Sequence, residues 1–86
     1  MTKSMTNKYF IEFIREDGLP ELGSDAYIRL DGRLAPRTMI DLALLSLARR
    51  KAFACRIIRT ASLMSDNPQV LATIRNPNEI VSRERN

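Results

Sequence analysis

The sequence predicts a small α+β domain of two layers, with one long helix packed on an antiparallel sheet in the order β-β-α-β-β. Three observations carry this expectation. Lys8–Glu16, KYFIEFIRE, is dense in aromatic and β-branched residues and alternates with period two. The segment after Pro36 places apolar residues at helical spacing. Beyond Lys51 the strand-like composition returns, in Phe53–Thr60 and again in Gln69–Ile74, across the turn residues Ser65–Pro68. A sheet that is apolar on one face and a helix that is apolar on one stripe bury those surfaces against each other.

In the first strand, alternation puts Tyr9, Ile11 and Phe13 on one face and Phe10, Glu12 and Ile14 on the other. The charge of Glu12 marks its face as the outer one. Asp17–Ala26 reads as a loop, because Asp17-Gly18, Pro20, Gly23 and Ser24 punctuate it. Four acids gather there, Glu16, Asp17, Glu21 and Asp25, without the spacing of a calcium loop. Tyr27–Leu30 is a second strand, with Ile28 and Leu30 inward and Tyr27 and Arg29 outward. Asp31-Gly32 suits a tight hairpin turn with positive φ, which allows a short return strand through Leu34.

Pro36 suits the first turn of a helix, where its missing N–H costs nothing. Thr38 and Asp41 have capping-box spacing, with Asp in place of the usual Glu. Ile40, Ala43, Leu44 and Leu47 share one face, and Met39, Leu42 and Leu45 widen it, as in a helix that is largely buried or meets a partner. Arg49, Arg50 and Lys51 close the helix, where cations complement its dipole. In the third strand Phe53, Cys55 and Ile57 face inward, and Ala54, Arg56 and Ile58 outward. Residues 69–74 read as a strand closing a hairpin, although Asn67-Pro68 also suits the start of a short helix. The expected organisation is a loose N-terminus over residues 1–7, one domain over 8–75, and a tail or short helical turn over 76–86.

At 86 residues, with 44% apolar and 28% charged residues, the chain has the composition of one globular domain. Its net charge of +4 is unevenly spread. Residues 1–43 hold six bases and seven acids, whereas residues 44–86 hold eight bases and three acids. No acid falls between Asp41 and Asp66. A basic half of this kind attracts phosphates or an acidic protein surface. Cys55 is the single cysteine, so no intrachain disulfide forms. The start of the chain, MTKSMTNKYF, lacks a signal-peptide core, and the expected setting is cytoplasmic with no membrane partner.

Much chemistry is excluded. Without histidine, the chain has no Ser-His or Cys-His nucleophile and no histidine zinc site. One cysteine builds no thiolate zinc site, and the three glycines form no phosphate-binding loop. Cys55, flanked in alternation by Phe53 and Ile57, reads as a buried structural thiol. No catalytic, cofactor or metal residues are expected, and the chain reads as a non-enzymatic module.

The outer face is the informative one. Phe10, Ile14 and Ile58 require cover or form a contact surface. The primary expectation is a protein-interaction or regulatory accessory module, acting through the outer sheet face or the broad apolar helix surface, with another protein or itself as a homodimer. Aromatic and Arg residues among apolar neighbours suit the centre of an interface. The alternative is nucleic-acid binding, with Phe10 and Tyr27 stacking bases while Arg29, Arg56 and Arg59 hold phosphates. Arg49, Arg50 and Lys51 would extend either surface. The bland account of the same basic run is a neutralised helix end followed by a solvated strand.

Overall fold

The two longest alternating segments pair side by side at the middle of the sheet. The computed structural model describes residues 7–61 and 67–77. Its elements are β1 (Lys8–Ile14), a 3-10 turn (Ser24–Ala26), β2 (Tyr27–Leu30), α1 (Pro36–Arg50), β3 (Ala54–Thr60) and β4 (Gln69–Arg75). The sheet order is β2-β1-β3-β4 and every neighbouring pair is antiparallel. The expected α+β architecture is therefore the one observed, and residues 69–75 are strand. The expectations for residues 1–6, 62–66 and 78–86 lie outside the described residues.

β2 and β3 both run antiparallel to β1 and so share a direction. A connection between two such strands has to travel back along the sheet, and α1 is that return. Fifteen helical residues span about 22 Å, close to the roughly 23 Å of a seven-residue strand. The helix lays Met39, Ala43 and Leu47 on Ile11, Phe13, Leu30, Cys55 and Ile57. Ile11, Phe13 and Cys55 are fully buried, and such apolar side chains contribute roughly 1.5–3 kcal/mol each.

Several local expectations are corrected. Asp31-Gly32 makes no hairpin: Leu34 N–H donates to the Asp31 carbonyl at 3.1 Å, Arg33 N–H to Asp31 Oδ1 at 2.9 Å, and the chain passes directly into α1. Gly32 has no positive φ. It is small because the Tyr9 ring lies over it, 2.9 Å from where a Cβ would stand. The helix begins at Pro36 after an N-cap Ala35 that makes no side-chain cap, so Thr38 and Asp41 form no capping box. Ile28 stands opposite Ile11 on the helix-side face but is 37% exposed, because β2 is a four-residue edge strand. Phe53 precedes β3 and is half-buried.

At the other end of α1, Lys51 adopts the left-handed conformation at φ 54°, and Ala52 N–H closes the turn onto the Leu47 carbonyl at 3.2 Å. Asn76 then ties β4 to this turn. Its side-chain amide donates to the carbonyls of Leu47 and Ala52 at 3.1 and 3.0 Å, and its backbone N–H to Phe53 at 2.9 Å. Asn76, expected to open a tail, is instead a buried anchor.

Candidate functional site

The helix buries a narrower stripe than its sequence offers. Only Met39, Ala43 and Leu47, at i, i+4 and i+8, reach the core. Ile40, Leu42, Leu44 and Leu45 remain 37–48% exposed. One helix is too narrow to cover four strands, so part of the helix-side face of the sheet is left beside it. There a groove of about 390 Å³ runs between α1 and β4, lined by Tyr9, Leu34, Ile40, Ile57, Leu71 and Ala72 among others. β4 carries a bulge where Ile57 pairs with Ala72 but Ile58 with Val70, leaving Leu71 as the extra residue. Val70 and Leu71 are 46% and 43% exposed. The far side of β4 is a sheet edge.

The opposite face of the sheet is organised in rows by register. Arg29, Phe10, Ile58 and Val70 lie across the four strands in one row, and Tyr27, Glu12, Arg56 and Thr73 in the next. The second row is internally satisfied. Arg56 donates from Nε to Glu12 Oε1 at 2.8 Å and sets Nη2 2.6 Å from the same oxygen. The Tyr27 hydroxyl donates to Glu12 Oε2 at 2.9 Å. Burial, followed by the adjacent Glu12 carboxylate, raises the Tyr27 pKa. In the first row, Phe10 meets Tyr27 edge to face at 6.5 Å, and the Arg29 guanidinium lies 5.8 Å from the Phe10 ring centre.

This face is not an open apolar platform. Phe10, Ile14 and Ile58 are 9%, 6% and 1% exposed. Glu12, the charge that marked the face as outer, is itself buried at 5%. Neither Phe10 nor Tyr27 stands as a free ring. Arg59 pairs in register with Tyr9 and Gln69, on the helix side, and its guanidinium hydrogen-bonds to the Gln69 side chain. It therefore shares no surface with Arg29 and Arg56.

The helix-end cations also divide. Arg50 lies 4.1 Å from the centre of the buried Phe13 ring and 3.8 Å from Glu21. Arg49 and Lys51 are exposed, with no ion pair among the described residues. A smaller hollow of about 250 Å³ next to the polar row joins Arg15, Arg56, Thr73 and Arg75. Arg75 carried no signal in the sequence, because only the register of β4 brings it there. Arg15 is held by Asp17 at 3.0 Å. Arg33 holds the exposed Asp31 carboxyl down to about 2. Burial pushes the Cys55 thiol up to about 11.

Among the described residues no group of three or more Cys, Asp or Glu side chains is placed to hold a metal ion, and no helix is long and apolar enough to cross a membrane. Comparison with protein-family models, curated proteins and solved structures finds no match for this chain. Among the described residues, the helix-side groove with Leu34 and Leu71 is an apolar surface that the fold leaves open. Sequence periodicity placed Ile40 and Leu44 on one apolar face, as in a helix that is largely buried or meets a partner. Leu71 was legible only as part of a strand.

Proposed function

We infer that this chain is a non-enzymatic protein-interaction module whose contact surface is the exposed side of α1, the groove beside it and β4. One observation carries the reading. Ile40 of α1, 38% exposed, and Leu71 of the edge strand β4, 43% exposed, line the two sides of an apolar groove, and Leu44, 39% exposed, lies one turn beyond Ile40. Exposed aliphatic residues are ordinary one at a time, whereas a contiguous set marks an interaction surface. The far face, the other candidate, has its aromatic and ionic groups engaged with each other. A cytoplasmic setting belongs to the same reading and is supported by a single buried, unpaired cysteine. Nucleic-acid binding has narrower support, from exposed cations such as Arg29, Arg49, Lys51 and Arg75.

Sedimentation at micromolar concentration tests the reading. The wild type should run above its 9.8 kDa chain mass or retain a partner. Ile40→Asp with Leu44→Asp should return it to a monomer, while Tyr27→Phe on the far face should not. A wild type that is monomeric and partner-free, with the double variant indistinguishable from it, would remove the helix-side surface from consideration.

A further inference from the structure

The β1–β2 loop holds the most exposed large apolar side chain of the described residues in a fixed frame. Leu22 is 83% exposed and Leu19 55%. The loop is not slack. Arg15 N–H donates to the Leu19 carbonyl at 2.8 Å, Glu21 N–H to the Phe13 carbonyl at 2.9 Å, and Pro20 bridges to Ile14. Gly18 and Gly23 supply the positive φ angles of 85° and 88° that the two bends require. Around the leucines stand Glu16, Asp17, Glu21 and Asp25. Asp17 and Glu21 are paired with Arg15 and Arg50. Asp25 is exposed and enters no ion pair among the described residues.

The groove beside α1 is the counterpart in both apolarity and charge. It is lined almost wholly by aliphatic and aromatic side chains, a chemistry that suits leucine better than a polar small molecule. Arg33 and Arg37 flank its helix end in sequence, and Arg59 adjoins its floor through Tyr9. Asp31 matches Arg33, and Asp41 lies one turn beyond Arg37 on the same helix. Neither Arg37 nor Arg59 is in an ion pair among the described residues. The loop follows the end of β1, whereas the groove is built around the start of β1 and the residues after β2. Loop and groove therefore lie at opposite ends of the sheet, too far apart to meet within one chain.

We propose that the groove takes the Leu19–Leu22 loop of a second copy, so that copies associate head to tail. This rests on the interaction-module reading above and names its partner. Leucine fills the groove, and Asp25, in no ion pair among the described residues, approaches Arg37 beside it. The loop is already ordered, so little freedom is lost on docking. A contact between two different patches leaves one loop and one groove open at the ends of every unclosed assembly. Growth then continues as a filament or stops by closing a ring.

Complementary variants test this with the full chain. Leu22→Ser blunts the loop, and Leu71→Asp places a carboxylate at the groove mouth, with Ile40→Asp as a second groove variant. All three positions are exposed, and circular dichroism checks that the fold is retained. The wild type should show an average mass that rises with concentration. Leu22→Ser should weaken association roughly tenfold to a hundredfold. Each variant alone should stop short of the wild-type assembly. An equimolar mixture of Leu22→Ser and Leu71→Asp should form a 1:1 pair of twice the chain mass and no larger species, because it has one intact loop and one intact groove. If the groove variants disrupt assembly but Leu22→Ser does not, the loop is not the occupant and the proposal fails while the groove remains an interaction site. If neither kind of variant changes assembly, both the proposal and the interaction-module reading fail. A mixture of two disrupted variants that forms no pair also overturns the head-to-tail geometry.

Discussion

Glu12 shows how strongly position alters the meaning of a residue. On a solvated strand face a carboxylate contributes little. Here it is 5% exposed, and both its oxygens are occupied, one by Arg56 and the other by Tyr27. Removing the centre of such a group leaves a partly buried guanidinium and a hydroxyl without their acceptor. Glu12→Gln should therefore destabilise the fold by about 2–3 kcal/mol, and Tyr27→Phe by about 1–2 kcal/mol. Urea unfolding measures both, and a Glu12→Gln chain as stable as wild type would show that the row is only a surface pair. Cys55 is the second case. Its folded pKa of about 11 lies above that of an exposed thiol because burial disfavours the thiolate. Between about pH 8.5 and 11 the unfolded chain loses this proton while the folded chain keeps it. Stability should consequently fall as pH rises through that window, and Cys55→Ala should show a shallower alkaline decline. Labelling of the native thiol should be slow below the window, and rapid labelling of the intact fold would contradict its burial.

At the scale of elements, α1 is less optimised at its ends than its length suggests. Ala35 has the extended backbone of an N-cap, φ −64° and ψ 148°, yet offers no side-chain acceptor to the free N–H groups of the first turn. Ala35→Ser should stabilise the protein by about 1 kcal/mol. Lys51 at φ 54° holds a conformation that costs a side-chain-bearing residue energy and glycine almost none. Lys51→Gly should add roughly 0.5–1 kcal/mol, and thermal unfolding of the single and double variants reads both increments. No rise in either variant would mean that the ends of α1 are set by tertiary contacts. Asn76 supports that possibility at one end only, since its amide already satisfies the Leu47 carbonyl. The elements themselves were legible in the sequence. Aromatic and β-branched content located β1 and β3, which lie at the centre of the sheet and are buried on both faces, and Pro36 located the start of α1. The Thr38–Asp41 spacing misled, because a capping box needs non-helical backbone at its first residue, and Thr38 is already inside the helix.

For the whole molecule, four of the acids gather in one loop. Glu16, Asp17, Glu21 and Asp25 follow β1, whereas Arg33 and Arg37 adjoin groove residues in sequence and Arg59 stands beside Tyr9 of the groove in register. The proposed head-to-tail association would take its direction from that arrangement. The sequence by itself determined the α+β class, the order β-β-α-β-β, the inward set on β1 and β3, the buried thiol and the exclusion of histidine-dependent chemistry. These follow from periodicity and composition, which are local. Only the tertiary structure decided which apolar residues stay outside and which charges cancel. Seven apolar positions of α1 look alike along the chain, but one helix can press only a narrow stripe onto a sheet, so Met39, Ala43 and Leu47 are inside while Ile40, Leu42, Leu44 and Leu45 are not. Arg56 reads as an exposed cation until register sets it across from Glu12, 44 residues away. Burial and ion pairing depend on neighbours from distant parts of the chain, and no local pattern records who those neighbours are.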